Sequence, residues 1–279
     1  MSSMSGQIIG LQAWLQSPPG RYLLAWEQSA FDRAVMDVFG YHAVQVGVPE
    51  LDGLRGSRIQ HHWLSTPDCP VMSGPRRIAV VHDLSALPFD ANSLDLVLLP
   101  HALELSPDPH ATLREVERVL VPEGQVVISG FNSASLWGMR QRRARLVRKL
   151  GLGQWYLPAD SDLIGYLRLR DWLRLLSFEV ESSRFGCYRP AVRSEAMLKR
   201  FGWMENLGER CWPILGAVYF VVAVKRVRGM RLLETTWKAP RALTSAPVPL
   251  ANRRRRRPVS APAQLGPVEP MTQNNKGIR

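Results

Sequence analysis

A chain of 279 residues, 46% of them hydrophobic, can build one full-sized domain with a substantial core and an appendage, and is too apolar to be disordered throughout. Its formal charge of +12 is concentrated: residues 228–279 carry a net +9 and residues 132–155 a net +6, leaving −3 elsewhere, so a near-neutral folded body bears a basic insertion and a basic tail. The longest near-continuous apolar run, 217–224, is far short of a bilayer span, no secretory signal is visible, and Cys69, Cys187 and Cys211 have neither metal nor disulfide spacing; a reducing cytoplasm is the expected compartment.

Residues 1–20 are polar, with Pro18-Pro19-Gly20 as punctuation, and read as a flexible N-terminus ahead of a domain over 21–227. From Tyr22 to Phe39, Leu24, Phe31, Val35 and Val38 recur at helical spacing, and Gly40 supplies a stop. A short strand is expected over 44–48 and a weaker one over 58–64, where His61-His62 interrupts the apolar pattern. Residues 77–83 and 93–101 have the continuous aliphatic cores of parallel strands buried on both faces.

Asp108 is a good N-cap, Pro109 suits a first helical turn, and Leu113, Val116 and Leu120 form an apolar stripe. Pro122 and Gly124 end that helix before a strand over 125–131. After the insertion at 132–155, residues 162–177 predict a helix with Leu163, Leu167, Trp172, Leu173 and Leu176 inside, followed by strands over 178–185 and 218–227. Alternating strands and helices predict an α/β fold, an open parallel sheet with helices on both faces. Residues 228–279, with seven prolines and the run Arg253 to Arg257, read as a disordered basic tail.

In such sheets ligands bind outside the carboxyl ends of the central strands. Asp83 stands at one such end. Its carboxylate can accept from an adenine amine while the Leu84 backbone meets the ring, or it can cap the next turn through Ser85. Residues 80–131 also carry Leu87-Pro88-Phe89, Asp95 and Arg118-Val119-Leu120-Val121-Pro122-Glu123-Gly124. With these residues the segment resembles the ubiquinone/menaquinone-methyltransferase type of class I S-adenosylmethionine-dependent methyltransferase domain, and the similarity extends more weakly from Gly20 to Arg226.

The resemblance implies a Rossmann-like, mostly parallel seven-stranded sheet and S-adenosyl-L-methionine as cofactor. It also implies that Asp83 and Leu84 contact adenine, and that the segment from Leu99 and Pro100 to Leu103 flanks the methionine moiety and the substrate. The departure lies after the first strand. There the family places an acid and a Gly-x-Gly-x-Gly run, because bare backbone must approach the cofactor. Here the chain reads Val44-Gln45-Val46-Gly47-Val48-Pro49-Glu50-Leu51-Asp52-Gly53. Only Gly47 keeps its place; Pro49 removes a donor, and Gln45 replaces the acid. No acid ends the second strand, with His61 and His62 nearby, and Glu50 or Asp52 could substitute.

Sulfonium is an activated donor, so alignment supplies much of a methyl transfer and a base helps where the acceptor loses a proton. His101 and Glu104, just past the fourth strand, are the candidates for that role, or else ordinary loop residues; His110 reads as a surface residue. No metal site is expected. The leading expectation is a methyltransferase with a small-molecule acceptor. The alternatives are a noncatalytic binding or regulatory module on the same fold and an RNA methyltransferase. The last rests on charge alone, since Leu99-Pro100-His101-Ala102 stands where amino-directed nucleic-acid enzymes place Asn-Pro-Pro-Tyr. Residues 137–155 are basic and amphipathic and 253–257 basic, which suits contact with anionic lipid or RNA, or a solvated surface.

Overall fold

The computed structural model describes residues 10–67, 78–148, 156–158 and 163–226, all within one compact unit that ends at Arg231. Residues 10–15 are helical (α1) and lead into α2 (Pro18–Val35). The side chain of Ser17 caps α2 by accepting from Gly20 N, with Pro18 and Pro19 in the first turn, where a missing N–H costs nothing. Thus Pro18-Pro19 begins a helix rather than breaking the chain, and ordered structure starts before residue 21. Leu23, Phe31 and Val35 face inward, while Leu24 is only partly buried.

Strands β1 (His42–Val46), β2 (His61–Thr66), β3 (Val80–Val81) and β4 (Leu94–Pro100) follow, then α3 (Ala102–Leu105), α4 (Pro109–Val119), β5 (Leu120–Phe131), α5 (Leu136–Arg148), α6 (Tyr166–Leu175) and β6 (Phe178–Gly186). The chain continues through α7 (Glu195–Arg200), α8 (Trp203–Cys211), a 3₁₀ turn (Pro213–Leu215) and β7 (Val218–Lys225). The seven strands lie in the order β3-β2-β1-β4-β5-β7-β6. Strands β1 to β5 run parallel, while β7 is antiparallel to both β5 and β6. This is the expected mostly parallel α/β sheet, with the reversed strand placed at β7. Leu96, Val97, Leu98 and Leu99 of β4 are wholly buried, as a strand covered on both faces requires.

Several boundaries moved. Helix α2 ends at Val35 rather than Phe39. Strand β5 already begins at Leu120, running through Pro122 and a left-handed Glu123. In α6 the inward positions are Leu169 and Leu173, whereas Leu167 is 62% exposed. Strand β2 starts at His61, so His61 and His62 sit at its amino end, far from the ligand-binding edge; His61 stacks with His42 and Trp63 there. The tail expected over 228–279, and residues 149–155 of the insertion, lie outside the described residues.

The recognisable block from β3 to β5 is held by a few polar ties. Asp95 Oδ2 accepts from Tyr41 N at 2.8 Å and His42 N at 2.9 Å, which fixes the start of β1 against β4. Arg118 donates to Leu87 O and Phe89 O, both at 3.0 Å, and pairs with Glu115, whose Oε2 also accepts from Leu87 N. The Leu-Pro-Phe loop is therefore a strap pinned to α4. Replacing Asp95 by Ala, or Arg118 by Ala, is expected to lower the unfolding free energy by about 1–3 kcal/mol, because backbone groups lose charge-assisted partners. Arg114→Ala, on the exposed side of α4, is the control, expected to stay within about 0.5 kcal/mol; urea denaturation checks all three.

Candidate functional site

The carboxyl ends of β1, β2 and β4 converge on Gly47. Its φ of +102° is a conformation that strains an L side chain, and a Cβ there would stand 3.1 Å from Pro100 O and 3.6 Å from Ala102 Cβ. Glycine is thus demanded by both backbone and clearance. Gly47 N donates to Ser65 O at 2.9 Å, tying β1 to β2. Beyond it, Gln45 is buried and organises the loop: Nε2 donates to Val48 O and Leu51 O, each at 2.8 Å, and Oε1 accepts from Gly53 N at 2.9 Å. Where the family places an acid, this chain has a staple for its own loop.

A cleft lies above these strand ends, lined by Gly47, Val48, Pro49, Glu50 and Thr66, with Leu11 and Leu15 of α1 closing it. It encloses about 20 Å³, room for a water and not for a nucleoside. Tested against S-adenosylmethionine, the residues present fit in character: the bare Gly47 backbone, apolar walls, and the rim carboxylate of Glu50, suited to an ammonium. They fit in volume only with α1 withdrawn. On the adenine side, Asp83 is exposed at the end of β3 while Leu84 is buried. Asp83 Oδ1 accepts from Ser85 N at 2.9 Å and Ser85 Oγ at 2.8 Å, and these bonds hold the carboxyl below its usual range. Turn capping therefore occupies one oxygen of the carboxylate. Leu99 is buried in β4, and Pro100 carries the clearance for Gly47.

One residue past Pro100 the chain turns sharply. His101 is left-handed (φ 52°) and wholly buried between two carboxylates. Its Nδ1 lies 2.8 Å from Glu104 Oε2 and its Nε2 lies 3.0 Å from Glu27 Oε1. The Glu27 contact is off the hydrogen-bond axis, so it is Coulombic, and neither Glu27 oxygen accepts a hydrogen bond from a described residue. Glu104 Oε1 accepts from Phe131 N at the end of β5. The Phe131 ring covers the imidazole at 4.4 Å between centroids.

Around the triad stand the buried Tyr219, whose hydroxyl has no hydrogen-bond partner among the described residues, and Gly130, where a Cβ would strike that hydroxyl at 2.4 Å and Glu104 Oε1 at 3.0 Å. Burial and Glu104 push the Tyr219 phenol well up; burial, Glu205 and Glu27 do the same to the Cys187 thiol, leaving it an inert neutral group.

The structure thus brings Gly47, Leu99, Pro100, His101 and Glu104 together and leaves Asp83 and Leu84 two strands away toward the sheet edge. Glu27 and Tyr219 were missed. Glu27 had a signal: at i+4 from Leu23 and i−4 from Phe31, it interrupts the buried stripe of α2 with a charge. His110, as expected, is exposed, against the ring of Trp172. Among the described residues no cluster has a metal-ligand arrangement.

Burial alone would push the His101 pKa down, but Glu27 and then Glu104 outweigh it and raise it from 6.5 to about 10. The imidazole is therefore a cation at neutral pH. A raised folded-state pKa contributes stability in full below the unfolded value of 6.5 and loses it as pH climbs through about 10. Unfolding free energies measured between pH 6.5 and 10 are expected to decline, and His101→Gln to flatten that slope. The variant itself should lose about 3–5 kcal/mol, since two buried carboxylates are left without their cation. An unchanged slope in the variant would show that another group sets it.

Residues 69–128 match the family described as a methyltransferase domain. The Escherichia coli (strain K12) protein YafS is 31% identical over 225 residues, covering 78% of this chain and 82% of that one. A malonyl-[acyl-carrier protein] O-methyltransferase of Halorhodospira halophila is 33% identical over 99 residues, 36% of this chain and 29% of its own. A solved SAM-dependent methyltransferase from Thermotoga maritima superimposes with a TM-score of 0.51 at 17% identity, over 71% of this chain and 89% of that chain, a likeness of fold alone. The chain belongs to the family of YafS, and it carries the class I S-adenosylmethionine-dependent methyltransferase fold.

Proposed function

We propose that this protein is an S-adenosylmethionine-dependent methyltransferase that acts on a small-molecule acceptor. One observation carries the reading: the Gly47 cleft adjoins a buried carboxylate–imidazolium–carboxylate triad built on a left-handed residue. Buried ions and backbone strain cost stability, and they concentrate where a site needs them. When bound, S-adenosylmethionine supplies an activated methyl group, so the chain's work is placement and the handling of a proton.

In this reading Gly47 admits the cofactor's backbone-hugging portion, Glu50 receives its ammonium, and Leu84 with Asp83 borders the adenine. Leu99 and Pro100 set the floor from which the acceptor side begins. His101 acts as a positioning cation rather than a base, because it is already protonated, with Nδ1 bonded to Glu104 and the charge of Glu27 beside Nε2. The group placed to accept from a substrate is Glu27, neither of whose oxygens accepts a hydrogen bond from a described residue, whereas both oxygens of Glu104 are engaged. Helix α1 moves aside to open the cleft.

The second reading, a noncatalytic module on the methyltransferase fold, is favoured by α1 seated on a space of about 20 Å³ and by the turn-capping bond of Asp83. Calorimetric titration with S-adenosylmethionine and S-adenosylhomocysteine separates the two. The enzyme reading expects binding below millimolar, weakened about tenfold or more by Gly47→Val through strain and lost clearance. Absence of binding at millimolar ligand would sink it and leave the module. Glu27→Gln is expected to keep cofactor binding and to reduce methyl transfer roughly 10²-fold or more. Equal transfer rates in wild type and Glu27→Gln would remove Glu27 from the chemistry.

A further inference from the structure

Nine of the fifteen large exposed apolar side chains among the described residues lie on the segments that crown the carboxyl end of the sheet: α5, α7, α8, the 3₁₀ turn, and Trp212 between the last two. Trp203 is 59% exposed, Trp212 52% and Ile214 62%, joined by Leu136, Met139 and Leu215. These segments are fastened to one another. Trp137 Nε1 donates to Arg189 O at 2.8 Å, Asn132 Nδ2 donates to Ile214 O at 2.7 Å and Gly216 O at 2.9 Å, and Tyr188 Oη donates to Pro213 O at 2.8 Å while its ring packs on Gly208 of α8. These bonds tie the start of α5, the loop after β6, α8 and the 3₁₀ turn to one another.

The charge of α5 has one sign, whereas α8 carries Glu205 and Glu209 beside Arg210. Helix α5 holds Arg140, Arg142, Arg143, Arg145 and Arg148 and no acid, and Arg142 and Arg143 are exposed. Clustered exposed apolar groups mark an interaction surface. Half-exposed tryptophans with aliphatic neighbours beside arginines are the composition of a face that lies in the headgroup region of an anionic bilayer. A nucleic acid would use the arginines and leave Ile214 and Leu215 without a role. No described helix is long and apolar enough to cross a membrane, so the contact is peripheral.

We infer that the cap formed by α5, α8 and the Pro213–Leu215 turn docks the protein on anionic lipid surfaces, with the Trp212–Ile214 corner entering the headgroup layer. The Gly47 cleft lies at the same end of the sheet, so the docked protein faces the bilayer with the end that carries its site.

Flotation of the full chain with vesicles tests this, comparing phosphatidylcholine alone with a two-to-one mixture of phosphatidylcholine and phosphatidylglycerol. Every protein is also made with Arg253 to Arg257 changed to Gln, to remove the tail's attraction. Binding to the anionic vesicles is expected in both backgrounds. Trp212→Ser with Ile214→Asp should weaken it by about tenfold or more, and Arg142→Gln with Arg143→Gln by about tenfold, with strong salt dependence. These side chains are exposed, so unfolding midpoints should match the parent and act as the folding control.

Failure of the parent to bind anionic vesicles at low salt overturns the inference, as does binding that disappears with the tail arginines alone. Tight single-stranded RNA binding lost with Arg142 and Arg143 but indifferent to Trp212 and Ile214, with no vesicle binding, overturns it in favour of nucleic acid. The assay needs no cofactor, so its outcome stands apart from the titration above.

Discussion

The imidazolium of His101 is the interaction on which the functional end of the molecule depends. It joins three elements: α2 through Glu27, α3 through Glu104, and β5 through the bond from Phe131 N to that same glutamate. Burying two carboxylates without a cation would cost far more than the packing around them returns. A hydrophobic trio of similar volume could seal the same space with less electrostatic risk. Retention of the ionic arrangement therefore speaks for placement rather than for stability, and it sets where α2 crosses the strand ends.

That placement governs the cleft. Gly47 touches Ala102 on one side, and His101, the residue before it, turns away into the triad. The left-handed turn at His101 is what allows Pro100 to present its carbonyl to Gly47 while the next side chain points into the core. Gln45 performs the complementary task on β1, tying three backbone groups of the loop that forms the opposite wall. The cleft is thus bounded by these two supports and by the short helix α1, whose Leu11 and Leu15 are buried against it.

Much of the fold was legible because β4, β7 and the second half of β5 are nearly continuous apolar runs, and a strand buried on both faces leaves few other readings. Element ends were less legible. Pro18-Pro19 reads as a break until Ser17 is seen capping a helix, and Leu167 matches a helical stripe whose actual inner positions are Leu169 and Leu173. In the site, Gly47 and the Pro100–Glu104 segment could be read because they sit next to strand ends. Glu27 could not be assigned in the same way: its meaning comes from a contact with a residue 74 positions later. Tyr219 was hidden for a similar reason, lying in a strand that reads as plain core.

The residues that make the family resemblance vivid are not the ones that would do chemistry. Asp95 anchors the start of β1, and Arg118 with Glu115 pins the Leu-Pro-Phe strap. Each has a full structural occupation, and Asp83 has a partial one in the Ser85 turn. A match over residues 69–128 is therefore first a statement about how β3, β4 and α4 are held together. The proposed chemistry rests on another set, namely Gly47 and Glu27, which lie outside that segment, and His101 and Glu104 just past β4 within it. Fold-keeping bonds would hold the block together with or without a cofactor. The His101 triad also ties three elements together, but it does so with buried ions and a left-handed residue where an apolar cluster could serve, and that excess is what the proposed chemistry draws on.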